Sequence, residues 1–261
     1  MEILNELKRD TLRNLLSVGK RADGRKMDEY REFSVSKNVL PNAEGSALAS
    51  IGKSKVLCGV KFDTATPFND RPAEGVLSTG AELLPLASHE FEPGPPREDA
   101  IELARVVDRG IRSSEAIDLK SFFLEEGKVL ALYMDLYVLD HDGNLIDAAG
   151  LAALGALSCA RMPKVEGPKI VRGEYAGLLK LSAHSVSCTF AKMDSHYLID
   201  PTYDEESGAD TRMTIATTEN GRVCAGQKGG WGAFSKNDIM NMIDISFERG
   251  KALRAAAIGN E

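Results

Sequence analysis

The chain has 261 residues, of which 43% are hydrophobic, so a sizeable core can form and general disorder is excluded. It carries 32 Lys and Arg residues against 39 Asp and Glu residues, a formal net charge of −7. That acidity excludes a basic nucleic-acid coat, and any contact with RNA or DNA must use a local cluster of cations. No apolar run approaches the roughly 20 residues that a membrane helix needs, and the acidic residues among the first leucines argue against a signal or transit peptide. We expect a soluble cytoplasmic protein that binds no membrane.

The four cysteines, Cys58, Cys159, Cys188 and Cys224, are separated by tens of residues, and none belongs to a CxxC motif. This spacing argues against a zinc site and favours buried free thiols in a reducing compartment. We expect neither a metal nor a cofactor.

Hydrophobic periodicity divides the chain into strands and helices. In chain order, the first half contains a helix over 2–17, a charged turn at 21–25, alternating strands within 32–63 with a turn at 52–54, a strand at 76–86, a helix at 98–116, a strand at 128–139 and a helix at 147–157. After a break at 163–173 come hairpins at 181–200 and 212–227 and a helix at 235–257 capped by Ser235. This order predicts an α+β fold of two βαβ-type halves with mixed sheets and packed helices. We divide the chain into a helix and turn at 1–25, a first half at 26–165 and a second half at 166–261.

The predicted helix at 147–157 consists almost wholly of small or apolar residues. Such a helix must be buried on several sides, with Asp147 as its N-cap. The preceding turn, 141–144, contains Gly143, and a glycine turn at a helix N-terminus is a ready phosphate site. Asp142 and Asp147 would repel a phosphate there, and no Arg or Lys lies between them.

An acidic stretch follows the predicted strand that ends at 200. Asp200, Asp204, Glu205 and Glu206 could bind Mg²⁺ or act as general acid and base. The alternative, which we favour on the residues alone, is a solvated turn closed by Pro201.

Three arginines, Arg105, Arg109 and Arg112, lie together on the face of the 98–116 helix opposite its apolar face. They could bind RNA phosphates or a partner. Their spacing alone favours intrahelical salt pairs, Glu102 with Arg105 and Asp108 with Arg112. The four histidines are scattered and form no Ser-His-Asp grouping.

Several motifs fall in one order across nearly the whole chain. They are 21–25 (RADGR), 82–87 (ELLPLA), 91–96 (FEPGPP), 101–109 (IELARVVDR), the buried helix from Asp147 and the acidic stretch from Asp200. This set resembles the RNase PH family, and in particular its non-catalytic members in the core ring of the archaeal exosome.

The resemblance implies an RNase PH fold with ribosomal-protein-like topology. It implies a hexameric ring in which three copies alternate with three copies of a catalytic homologue, beneath a trimeric cap of RNA-binding subunits. Such a complex degrades RNA from the 3′ end with inorganic phosphate and releases nucleoside diphosphates. Arg105 and Arg109 match RNA-binding arginines of this subunit type, and Arg112 follows one turn later.

Departures from the active members remove catalytic features. Where those carry Gly-Gly-Thr-Arg or a close variant to hold the attacking phosphate, this chain has Gly143, Asn144, Leu145 and Ile146. Asp200 matches the first of their two aspartates, but Glu206 replaces the second. Glu92 and Glu98 replace basic residues near the Pro-Gly loop.

We therefore expect no catalytic residue, and a vestigial site of Asp200, Glu206, Asn144, Leu145 and Ile146. Two alternatives stay open: an active phosphate-dependent 3′-to-5′ exoribonuclease that uses Asp200 and Glu206, and an α+β enzyme for a small phosphorylated metabolite.

Overall fold

The structure is a computed structural model that describes the backbone of residues 2–259 and the side chains of residues 9–259. Its helices are α1 (Glu2–Ser17), α2 (Glu98–Ser113), α3 (Leu145–Ser158), α4 (Tyr203–Gly208) and α5 (Lys236–Ile258). Its strands are β1 (Phe33–Lys37), β2 (Gly45–Ile51), β3 (Ser54–Ala65), β4 (Val76–Leu83), β5 (Phe123–Glu125), β6 (Lys128–Asp140), β7 (Arg161–Glu166), β8 (Lys169–Leu178), β9 (Val186–Met193), β10 (His196–Ile199), β11 (Thr211–Thr217) and β12 (Val223–Gly230). The predicted α+β class is confirmed.

Two sheets organise the molecule. The first has the order β1-β2-β3-β6-β4, with β5 also paired to β6, and β4 runs parallel to β6. The second is antiparallel, in the order β10-β9-β11-β12. None of the described helices is long and apolar enough to cross a membrane.

Helix α3 lies at the centre, packed on β2 and β3 of the first sheet, on β9 of the second sheet and on α2 and α5. Its small residues allow this close approach. Ala152, Ala153 and Ala156 are fully buried, and a Cβ on Gly155 would lie 2.7 Å from Val35 Cγ1. The predicted burial of this helix on several sides is confirmed.

Three local predictions were wrong. The supposed break at 163–173 is a hairpin of β7 and β8, whose register shifts on both sides of Pro163, because proline disturbs the ladder without ending the pairing. The supposed turn after Asp200 contains helix α4, which begins with a capping box of Thr202 and Glu205. Helix α3 begins at Leu145, so Asn144 occupies the N-cap position and Asp147 lies in the first turn.

The turn before α3 requires glycine. Gly143 has a φ of +83°, and a Cβ there would lie 2.4 Å from Thr202 C and 2.5 Å from Tyr203 N. This contact brings the start of α4 against the start of α3, and it positions the candidate site.

We predict that Gly143→Ala destabilises the protein more than Gly221→Ala does. Both positions have positive φ, which costs a β-carbon about 1–2 kcal/mol, but Gly221 faces open space. The clash at Gly143 adds about 1–3 kcal/mol, the usual penalty of overpacking. Chemical denaturation of both variants measures the difference, and equal losses would show that the close approach of α3 and α4 is not required.

Candidate functional site

Asp200 lies fully buried at the end of β10 with a left-handed φ of +50°. Its carboxylate accepts hydrogen bonds from Arg31 Nη2 at 2.7 Å, Arg31 Nε and Arg25 Nη1 at 2.9 Å, the Arg31 backbone N–H at 2.8 Å and Asn144 Nδ2 at 2.7 Å. Burial raises the pKa of Asp200, but the hydrogen bonds and charge of Arg31 outweigh burial and hold this pKa below its usual range. Its oxygens are therefore committed to donors of the chain itself.

A second buried ion pair stabilises the same corner. Arg21, whose side chain is fully buried, donates from Nη2 and Nε to Glu205 at 2.6 and 2.9 Å. Arg21 also donates to the carbonyl oxygens of Ile199 and Asp200. Glu205, which the sequence suggested as a metal ligand or an acid-base group, thus forms a structural ion pair that holds the segment after α1.

Glu206 occupies the N-terminus of α3. Its Oε2 accepts the Asn144 backbone N–H at 2.8 Å, and its Oε1 accepts Arg212 Nη1 at 2.9 Å. Arg212 also donates to Glu102 at 2.9 Å. A carboxylate of the chain therefore lies where the helix N-terminus would favour a phosphate.

Leu145 and Ile146 line a cavity of about 180 Å³ beside this helix N-terminus. The charged groups around it are four carboxylates and one guanidinium: Glu90, Asp99, Glu102, Glu206 and Arg212. His141 adds no compensating charge at neutral pH, because burial lowers its pKa. The cavity has a negative field that opposes entry of a phosphate.

Asp147 is buried and has no cation partner among the described residues. It accepts hydrogen bonds from the Tyr30 hydroxyl at 2.7 Å, Asn144 Nδ2 at 2.9 Å, and the Thr189 hydroxyl and backbone N–H at 2.8 and 2.9 Å. Burial raises its pKa to about 6 despite these bonds. Asn144 thus bridges Asp147 to Asp200 and joins α3 to both sides of the site.

The three arginines of α2 have different surroundings. Arg112 pairs with Asp108 at 2.9 Å and donates to the Leu77 carbonyl oxygen, as the salt-pair alternative predicted. Arg109 is half-buried and donates to Gln227 Oε1 at 2.8 Å. Arg105 is exposed and has no side-chain partner in the part of the chain whose side chains are described.

The predicted pair of Glu102 with Arg105 is absent, since Glu102 binds Arg212. Arg105 and Arg109 are therefore the members of the stripe that retain donors for an external anion. Among the described residues, no group of three His, Cys, Asp or Glu side chains could hold a metal ion.

Sequence reasoning missed the parts played by Arg31, Arg212 and Tyr30. Asp200 lies 169 residues from Arg31, and Asp147 lies 117 residues from Tyr30. Of the two carboxylate partners of Arg212, Glu102 lies 110 residues away and Glu206 lies 6 residues away. None of these three residues lies in the charged turn at 21–25, whose concentration of charge was a signal only for Arg21 and Arg25.

The chain is similar to known proteins over most of its length. Residues 29–163 match domain 1 of the 3′ exoribonuclease family (RNase PH), and residues 185–249 match its domain 2. "Exosome complex component Rrp42" of Thermococcus gammatolerans is 45% identical, over 97% of this chain and 95% of that protein. Its counterpart in Pyrococcus furiosus is 43% identical, over 97% and 93%.

Solved structures agree with these sequence matches. A chain of the Archaeoglobus fulgidus exosome with RNA bound to the active site superposes with a TM-score of 0.90 at 43% identity, covering 97% of this chain and 98% of that one. A chain of an archaeal exosome core gives a TM-score of 0.86 at 39% identity, covering 98% of each.

Asp147 predicts a particular pH dependence of stability. The pKa of Asp147 is about 6 in the folded chain and exceeds its ordinary value of 3.8. Between pH 3.8 and pH 6, the Asp147 carboxyl is therefore protonated to a greater extent in the folded chain than in the unfolded chain. The contribution of Asp147 to the free energy of unfolding is fully present below pH 3.8 and falls by about 3 kcal/mol as the pH rises through 6.

Asp147→Asn removes this titration. The free energy of unfolding of the wild type minus that of the variant, measured by urea denaturation from pH 4 to pH 7, should decrease as the pH rises. A difference that does not change with pH would contradict the assignment.

Proposed function

The chain belongs to the 3′ exoribonuclease (RNase PH) family, and from that premise we propose that it is a non-catalytic ring subunit of an archaeal RNA-degrading exosome. Three copies alternate with three copies of a catalytic RNase PH-like homologue, and a trimeric cap of RNA-binding subunits covers one face. The complex degrades RNA phosphorolytically from 3′ to 5′, and this chain structures the neighbour's active site and helps to hold the RNA 3′ end. The relatives named as exosome components and the superposition on exosome chains support this proposal.

One observation carries the non-catalytic part of the proposal: the Glu206 carboxylate occupies the N-terminus of α3, where a phosphate would otherwise bind. Phosphorolysis brings a phosphate anion up to a phosphodiester, so a catalytic site must supply positive charge. Here Glu206 occupies the helix N-terminus, while Leu145 and Ile146 offer neither a hydroxyl nor a charge. The active alternative needs Asp200 to be free for Mg²⁺ or a proton, but its carboxylate is held by Arg25, Arg31 and Asn144.

The arginine stripe supports the RNA-holding part. Arg105 and Arg109 present a local cation cluster on a chain of net charge −7, so that RNA can be attracted locally although the chain as a whole is acidic. A planar guanidinium can donate hydrogen bonds to two oxygens of one phosphate. Arg112 has the smaller share, because Asp108 neutralises it.

We also propose that the complex works in the cytoplasm. Cys58, Cys159, Cys188 and Cys224 all remain free thiols, which fits a reducing compartment.

Reconstitution tests the assembly directly. Mixing the pure chain with the catalytic RNase PH-like homologue should give a hexamer of three copies each, observed by native mass spectrometry. Two proteins that remain separate at micromolar concentration would overturn the proposal.

We predict that the Arg105→Ala, Arg109→Ala double variant weakens RNA binding by the assembled ring. If each arginine contacts one phosphate, the slope of log affinity against log salt falls by about 1.4, since each single-strand phosphate contributes roughly 0.7. Arg112→Ala should change this slope less, because Arg112 already pairs with Asp108. Filter binding across a salt series provides the measurement.

The matched control is Arg172→Ala with Arg249→Ala, which removes the same charge at β8 and α5, away from α2. The control should retain the wild-type slope. If the ring of the α2 variant instead dissociates while the salt slope stays constant, Arg105 and Arg109 are interface residues, and the proposal that they bind RNA is wrong.

A further inference from the structure

The arginines around helix α2 differ in the chemistry of their acceptors. Arg112 pairs with the carboxylate of Asp108 at 2.9 Å, and Arg212, which reaches α2 from β11, pairs with two carboxylates, each at 2.9 Å. Arg109 instead donates from Nη1 to the side-chain amide oxygen of Gln227 at 2.8 Å, and it forms no ion pair with a described residue. An amide oxygen carries no formal charge. Arg112 and Arg212 are therefore neutralised within the chain, whereas Arg109 keeps its positive charge.

The second sheet holds Gln227 in place. Gln227 lies opposite Thr214 in the ladder of β11 and β12, and β11 is paired on its other side with β9. Helix α2 packs against β12, where Ala225 and Gly226 border the Arg109 side chain and leave room for it because both are small. The amide of Gln227 is therefore presented to Arg109 from a fixed strand rather than from a loop.

The chemistry of the two groups determines how this contact is oriented. A guanidinium has only N–H donors, so the oxygen of the Gln227 amide faces Arg109 and its NH2 group does not. The bond uses Nη1 and leaves Nε and Nη2 of Arg109 without a partner among the described residues. These donors can bind oxygens of a phosphate. An arginine that is already held through one N–H loses less conformational freedom when it binds.

We propose that Gln227 is a positioning residue for RNA binding, which holds the Arg109 guanidinium for contact with a phosphate without cancelling its charge. This inference rests on the proposed function, because it takes Arg109 as a residue that contacts RNA. A carboxylate at the same place would hold the guanidinium, but its charge would compete with the phosphate. An apolar side chain would leave the charge intact but would release the guanidinium. The neutral amide meets both requirements.

Two variants separate the requirement for charge from the requirement for orientation. Gln227→Glu should pair Arg109 with a carboxylate. RNA affinity should then fall about fivefold at 0.1 M salt, and the slope of log affinity against log salt should fall by about 0.7, the contribution of one single-strand phosphate. Gln227→Met has a similar length but no oxygen acceptor. Its RNA affinity should fall about threefold as the guanidinium loses its order, while the slope keeps its wild-type value. Filter binding by the assembled ring across a salt series measures both quantities.

A double-mutant cycle tests whether Gln227 acts through Arg109. In the Arg109→Ala background, Gln227→Met should cause no further loss of RNA affinity, because the group that Gln227 orients is absent. The matched charge control is Asn220→Asp, since the chain contains no second glutamine. Asn220 is exposed in the turn between β11 and β12, and no hydrogen bond joins it to a described residue of α2. This control should retain the wild-type affinity and slope.

The outcomes distinguish failure of this inference from failure of the proposed function. If Arg109→Ala weakens RNA binding but both Gln227 variants bind as the wild type does, the positioning role is wrong and the RNA contact of Arg109 stands. A slope of Gln227→Glu equal to that of the wild type, or a further loss from Gln227→Met in the Arg109→Ala background, would also overturn the positioning role. If Arg109→Ala itself binds RNA as the wild type does, the RNA contact of Arg109 and the positioning role both fail.

Native mass spectrometry of each variant with the catalytic homologue checks assembly. Both Gln227 variants should form the wild-type ring, because the contact that they change lies within the chain. A Gln227 variant that forms no ring would show that Gln227 holds subunits together, and this result would overturn the positioning role.

Discussion

The buried carboxylate of Asp200 imposes the constraint on which the rest of this corner depends. A carboxylate without exposure must be matched by donors, and removing one partner of a buried ion pair costs about 3–5 kcal/mol. Arg25 and Arg31 supply the charge, and Asn144 supplies a further donor. Because these donors come from the segment after α1 and from the turn before α3, the requirement of one side chain brings together three distant parts of the chain.

The same constraint determines what the site can do. The Asn144 side chain donates to Asp200, and the Asn144 backbone N–H donates to Glu206. The N-terminus of α3 is therefore occupied by a carboxylate of the chain itself. The cavity beside it is acidic, so its field favours cations over phosphate. On α2, Arg105 and Arg109 retain donors for an external anion. Under the proposed function, this arrangement of charge serves a neighbouring subunit rather than chemistry within the chain.

Patterns among neighbouring residues predicted several helices, one hairpin and one ion pair. The 3.6-residue period predicted α2, and the capping residues Ser235 and Asp238 predicted the start of α5. The small-residue composition predicted the burial of α3, and the Glu219-Asn220-Gly221 turn predicted the hairpin of β11 and β12. The pair of Asp108 and Arg112 followed from its spacing of four residues.

Contacts between distant residues could not be predicted in this way. Glu102 was assigned to Arg105, three residues along its helix, but Arg212 competes for it from the second sheet. The hairpin of β7 and β8 was missed because Pro163 reads as a break. The ion pairs of Asp200 join residues 169 and 175 positions apart, and no periodicity extends over such separations.

We propose that this chain supplies no phosphorolytic site of its own. The most direct measurement is nucleoside diphosphate release from a 3′-tailed RNA with inorganic phosphate and Mg²⁺, for the isolated chain and for the chain reconstituted with its catalytic homologue. We expect no release by the isolated chain and release by the reconstituted ring. Release by the pure isolated chain would contradict it.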